Sequence, residues 1–178
     1  MIHVTRVRRQ LVLACVAVLA LCGLLTACGF AELDRRFMKP TMTEEQAAQR
    51  AEEHIRRAVS VLPPTARLEN PFFNTMPCAD ATVPGPEGRV SVARTYWLRG
   101  LPKENNRAYF DTLYEFWTRN GYRVLSDDRA NRESMYLWVE HTGDSFRLSI
   151  QSNDYGDLSI GADSPCIWPK GTPEPEEP

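Results

Sequence analysis

The chain uses two hydrophobic periods, and the change from one to the other falls at Gly121. Over residues 44–62, Ala48, Ala51, Ile55, Val59 and Leu62 recur at three- and four-residue spacing, which sets them on one face of a helix. Thr43 with Gln46 makes a capping box at its start, and Pro63-Pro64 ends it. A second helix over residues 102–119 has Pro102 in its first turn and stops at Asn120-Gly121, a left-handed stop signal. Tyr109, Phe110, Leu113, Phe116 and Trp117 give it an aromatic stripe, expected to cover a sheet rather than to hold a cofactor. Between the helices, residues 63–88 are rich in Pro and Gly and are expected to be irregular. Residues 90–98 alternate loosely as a strand, with Val90, Val92, Thr95 and Trp97 as its inward set.

After Gly121 the period is two. Residues 122–125, 135–140, 146–152 and 158–160 form four short strands, separated by the polar turns Asp127-Asp128-Arg129, Thr142-Gly143-Asp144 and Asn153-Asp154-Tyr155-Gly156-Asp157. Met135, Leu137 and Val139 point one way, and Phe146, Leu148 and Ile150 oppose them across a hairpin. Connections this short force antiparallel neighbours. The predicted fold class is therefore α+β: an antiparallel β-meander covered on one face by the amphipathic aromatic helix, with an additional N-terminal helix alongside. Tyr136 and Trp138 alternate with the core positions and fall on the opposite sheet face. They are a candidate binding surface if the N-terminal helix leaves that face open, and second-face core if it does not.

A run of another kind precedes the folded pattern. Arg6, Arg8 and Arg9 are followed by an apolar stretch over residues 11–25 and then by small residues, the order of a secretory signal. The stretch is shorter than the roughly 20 residues of a spanning helix. Leu25-Thr26-Ala27-Cys28 resembles the lipobox of bacterial lipoproteins. That resemblance implies cleavage before Cys28, a diacylglycerol thioether on its sulfur, optionally an N-acyl chain on its amine, and tethering to the outer leaflet of the cytoplasmic membrane. Each buried methylene adds about 0.8 kcal/mol to such an anchor. The other reading is a short transmembrane anchor with an incidental Cys28. Arg8-Arg9 loosely resembles a twin-arginine export signal, with general secretion as the default route.

These boundaries divide the chain into a signal peptide at residues 1–27, a lipidated N-terminus and linker at 28–42, one α+β domain at 43–169, and a disordered, acidic, Pro-rich tail at 170–178. Removing the signal takes three arginines and no acid from a chain of 21 basic and 23 acidic residues, so the net charge moves from −2 to −5. A mildly acidic domain without a basic stripe is not expected to bind nucleic acid. Arg35, Arg36 and Lys39 near the anchor are read as a solvated linker rather than a headgroup site.

Cys15 and Cys22 leave with the signal and Cys28 takes lipid, so Cys78 and Cys166 are the remaining thiols and are expected to pair as a disulfide in an oxidising compartment. The ending Ser164-Pro165-Cys166-Ile167-Trp168-Pro169, with the lipobox and Cys78, resembles the C-terminus of small actinobacterial lipoproteins. That resemblance brings no assigned activity and no site residues with it.

Catalytic motifs are thin. His141 lies between Glu140 and Asp144 but is expected to be a solvated turn residue, with no second histidine near it in sequence. The acids of 127–128 and 153–157 lack calcium-loop spacing and are read as turn chemistry. No metal, no cofactor beyond the covalent lipid and no enzymatic activity is expected. The expected role is a non-enzymatic binding domain of the cell envelope, recognising another envelope protein or a small apolar ligand. The alternative is an envelope hydrolase or transferase, which a pocket bringing His54 or His141 beside a buried carboxylate would favour.

Overall fold

The computed structural model describes residues 39–78, 86–131 and 133–173. The expected signal segment, Cys28 and the end of the tail at 174–178 lie outside the described residues.

Helix α1 spans Glu44–Val59. Its capping box is formed: Thr43 Oγ1 accepts from the Gln46 amide at 3.2 Å, and Gln46 Oε1 accepts from the Thr43 amide at 2.9 Å. The buried stripe is Ala47, Ala51, His54, Ile55 and Ala58, rotated by about one residue from the expected one so that it takes in a histidine. Helix α2 spans Asn106–Arg119 after one 3-10 turn at Lys103–Asn105, and buries Tyr109, Phe110, Leu113 and Trp117. It ends where Gly121 takes φ +82°, a conformation a side chain would strain.

The strands are β1 (Arg67–Pro77), β2 (Val90–Arg99), β3 (Tyr122–Asp127), β4 (Tyr136–His141), β5 (Arg147–Ser152) and β6 (Leu158–Asp163). They form one antiparallel sheet in the order β1-β2-β6-β5-β4-β3. The run β3 to β6 is a meander, and the β1–β2 pair is added on its β6 side. The fold is α+β, with two helices on a six-stranded sheet.

Strand β1 corrects the expectation of an irregular stretch after the first helix. Its alternation is hidden because it is an edge strand, mostly exposed on both faces and carrying Pro71 and Pro77. Proline is tolerated at an edge where its missing amide would face outward. The Cys78 amide donates to the Arg89 carbonyl at 2.9 Å, which makes 78 and 89 a hydrogen-bonded pair and turns the next position, Pro77, outward. A register shift between Glu69 and Phe72 accommodates Pro71, with Asn70 at φ 49°.

The sheet registers define its two faces. Tyr96, Ile160, Ile150 and Leu137 lie in one row across β2, β6, β5 and β4, and all are buried. Both helices pack on this face. Glu52 of α1 accepts from the Tyr96 hydroxyl at 2.6 Å, and His54 of α1 and Trp117 of α2 both lie against the Tyr122 ring. The adjacent row, Trp97, Ser159, Gln151 and Tyr136, belongs to the other face. Thr95 and Trp97 therefore point away from the helices, contrary to the inward set expected for β2. Its inward residues are Val92, Tyr96 and Leu98. The reason is register: the loose alternation begins on Val90 and Val92, and the large residue at 96 continues it rather than those at 95 and 97.

The folded unit reaches slightly beyond residues 43–169. The Thr41 amide donates to the Gly171 carbonyl at 2.8 Å, and Thr41 Oγ1 accepts from the Trp168 amide at 2.8 Å. Among the described residues no helix is long and apolar enough to cross a membrane.

Candidate functional site: an aromatic sheet face and a buried histidine–aspartate cluster

Neither described helix covers the face carrying Tyr136 and Trp138. Both side chains are half-buried, as is Trp97, which sequence periodicity did not place there. Thr95, Gly161, Ser149 and Trp138 form the next row, so small residues floor the space between the indoles of β2 and β4. A Cβ at Gly161 would stand 3.0 Å from Thr95 Oγ1 and 3.3 Å from the Arg94 carbonyl, so a larger side chain there would push on its neighbours. Arg99 lies over the Trp97 ring at 4.7 Å, and Arg147 over the Trp138 ring at 5.5 Å. Phe72, paired with Thr95, extends the aromatic surface to the sheet edge and is 62% exposed.

A charged row bounds this surface. Glu140 accepts from Arg123 at 2.7 Å and from Arg147 at 3.0 Å, and these bonds hold its carboxyl below the usual range. Asp163, opposite Arg147, is instead raised by burial, which outweighs that arginine. Burial, aided by Asp163, also raises the Tyr136 hydroxyl.

The helix-covered face holds a second constellation. Asp144, in the β4–β5 turn, accepts from His141 Nδ1 at 2.6 Å on one oxygen, and from His54 Nε2 at 3.0 Å and Arg50 Nε at 2.9 Å on the other. His54 Nδ1 faces the Tyr122 hydroxyl at 2.6 Å. With an ionised Asp144, these partners assign the proton of His54 to Nε2 and that of His141 to Nδ1. Burial depresses the His54 pKa and keeps the ring neutral, outweighing its bond to Asp144. Burial alone would raise Asp144. The hydrogen bonds from His141, Arg50 and His54 overcome it and hold the carboxyl far below the usual range. Burial raises the Tyr122 hydroxyl.

His141 is thus not a freely solvated turn residue. Its ring packs among His54, Tyr122 and Gly143, because α1 brings His54 and Arg50 onto the hairpin from about 90 positions away in sequence. One signal was available: His54 stands seven residues after Ala47, three after Ala51 and four before Ala58, within an apolar stripe.

The remaining expected sites are simply located. Cys78 and Cys166 are joined in a disulfide with a Cα–Cα distance of 5.9 Å, linking the end of β1 to the segment after β6. Ile167 forms a bridge with Val90, and Trp168 is buried beside Gly88. Asp127 pairs with Arg129, Asp157 pairs with Arg99 and Lys103, and Asn153 accepts from the amides of Tyr155 and Asp157. Turn and ion-pair chemistry accounts for those oxygens. Cys28 lies outside the described residues.

The class these features define is a six-stranded antiparallel α+β domain with one helix-covered face and one aromatic face. No protein-family model matches the chain, and no curated protein matches it.

Proposed function

We propose that the protein is a lipid-anchored, extracytoplasmic binding domain of the cell envelope, non-enzymatic, whose aromatic sheet face recognises another envelope protein. The observation that carries this reading is the packing of both helices on one side of the sheet, which leaves Trp97, Tyr136 and Trp138 on the other. Aromatic side chains with a fixed backbone lose little entropy on binding, and indoles are enriched among the residues that dominate interface energies. The lipobox at Leu25–Cys28 supports the anchor and the compartment, and the mildly acidic domain argues against nucleic acid.

The test is a pull-down of the lipidated protein from its own membranes, beside a Cys28→Ser form and a Tyr136→Ala, Trp138→Ala form. The reading predicts one partner recovered with the native protein and lost with the double variant, and a Cys28→Ser form that leaves the membrane fraction. Equal recovery with the double variant overturns the aromatic face as the binding surface. Recovery of a lipid or other small apolar molecule in place of a protein would replace the class of partner.

A second reading, an envelope hydrolase or transferase, has the His141–Asp144 pair in its favour, since a carboxylate behind a histidine is how a general base is oriented. The side-chain hydrogen-bond partners of that pair are Arg50, His54 and the Phe146 amide, none of which is a nucleophile.

A further inference from the structure

The His54, His141 and Asp144 side chains come from two elements far apart in sequence. Each offers one ligand-type atom, and these atoms all lie within 4.8 Å of one another. We propose that this cluster is a divalent-metal seat suited to zinc, with His54 Nε2, His141 Nδ1 and one Asp144 oxygen as ligands and solvent in the fourth position.

Donor chemistry comes first. Two imidazole nitrogens and one carboxylate oxygen are a borderline-soft set that suits zinc and does not suit calcium or magnesium, which prefer oxygen alone. Zinc bonds of about 2.0–2.1 Å in a tetrahedral site put ligand atoms roughly 3.3 Å apart. Asp144 stands 2.6 Å from His141 Nδ1 on one oxygen and 3.0 Å from His54 Nε2 on the other, and the ligand atoms lie within 4.8 Å of one another, so binding turns one carboxylate oxygen to the metal and draws the two rings together around it.

Proton bookkeeping closes with both rings neutral. Each neutral ring now carries its proton on the nitrogen that faces Asp144. To ligate, His54 moves its proton to Nδ1, where the Tyr122 oxygen at 2.6 Å accepts it, and the hydroxyl hydrogen turns away. His141 moves its proton to Nε2, on the side of Gly121. Tyr122 then stands behind His54 as the hydrogen-bond acceptor that ligating histidines characteristically have.

The opposing feature is Arg50, whose guanidinium sits 2.9 Å from the Asp144 oxygen shared with His54. It is also paired with Glu53 at 3.0 Å and is partly exposed, so it can turn to that carboxylate and leave Asp144 to the metal. Its positive charge must nonetheless weaken the seat. This predicts that Arg50→Gln raises zinc affinity, the opposite of what a purely hydrogen-bonded cluster would show.

The experiment is calorimetric titration of zinc chloride into the chelator-treated full chain in detergent, with the thermal midpoint recorded with and without zinc. Native protein should take up one equivalent. Tyr122→Phe should bind about 10- to 100-fold more weakly, the usual range for removing the partner behind a ligating histidine. Arg50→Gln should bind more tightly and show a larger zinc-dependent rise in midpoint. His141→Ala, with a folded thermal transition confirmed in the absence of zinc, should lose the one-equivalent heat. X-ray absorption at the zinc edge should show two imidazoles and an oxygen. No heat and no midpoint shift in the native protein overturns the proposal, as does an unchanged titration in His141→Ala. An Arg50→Gln protein that is destabilised equally with and without zinc identifies a hydrogen-bonded cluster instead.

Discussion

Burial keeps His54 neutral, and the consequence appears in mild acid. Its folded pKa lies below its ordinary value of 6.5, so below that pH the unfolded chain binds a proton that the folded chain refuses. Stability must fall as pH drops from about 6.5 through the lower folded value. Asp144 is depressed too, which places its contribution above the ordinary carboxylate range and removes it as pH falls below about 4. Denaturant titrations from pH 8 to 3 should therefore show two successive losses, and His54→Gln should remove the upper one. At the alkaline end Tyr96, pushed up to about 12 by burial and by Glu52, stays protonated while the unfolded chain ionises near 10. Stability should fall again across that interval, and Tyr96→Phe should reduce that loss, leaving the part owed to Tyr122 and Tyr136.

At this scale the sequence exposed part of the chemistry. The alternation of Tyr136 and Trp138 with Leu137 and Val139 could be read directly, since side-chain direction in a strand is local. The approach of His54 to Asp144 could not, because it depends on where α1 lands on the hairpin.

Among the elements, α2 and the meander were legible for the same reason: each carries a clean period, 3.6 or 2, over enough residues to exclude the other. Its aromatic stripe is the centre of the core, and Trp117, fully buried, is its largest member. Trp117→Ala should cost about 3–5 kcal/mol, read as a shift in denaturant midpoint. Strand β1 was not legible, because an edge strand exposed on both faces has no buried side to impose alternation. Its prolines describe its position: Pro77 removes an outward donor from an edge that also exposes Phe72, Phe73 and Met76. Such edges invite pairing with another chain. Pro77→Val restores the donor and should raise self-association measured by sedimentation. The disulfide closes a separation of 88 residues between this edge and the C-terminal segment. Replacing Cys78 and Cys166 together by serine should lower stability by about 4–5 kcal/mol on the loop-entropy argument.

For the molecule as a whole, the decisive fact is that α1 and α2 share one side of the sheet. Sequence left this open, since neither the capping box nor the apolar stripe of α1 says which sheet face it meets. With both helices together, the domain has one core layer, and the histidine–aspartate cluster joins α1 to the hairpin inside it. The opposite face combines three half-buried aromatic residues with a floor of Thr, Gly and Ser, a surface that presents apolar area on a hydrogen-bonded sheet backbone.

The most direct test of that face is photocrosslinking in intact cells from Tyr136→benzoylphenylalanine, compared with Glu115→benzoylphenylalanine on the exposed side of α2. The account predicts a discrete crosslinked envelope component from position 136 and none from position 115. Crosslinks of equal yield from both positions, or from 115 alone, would contradict it.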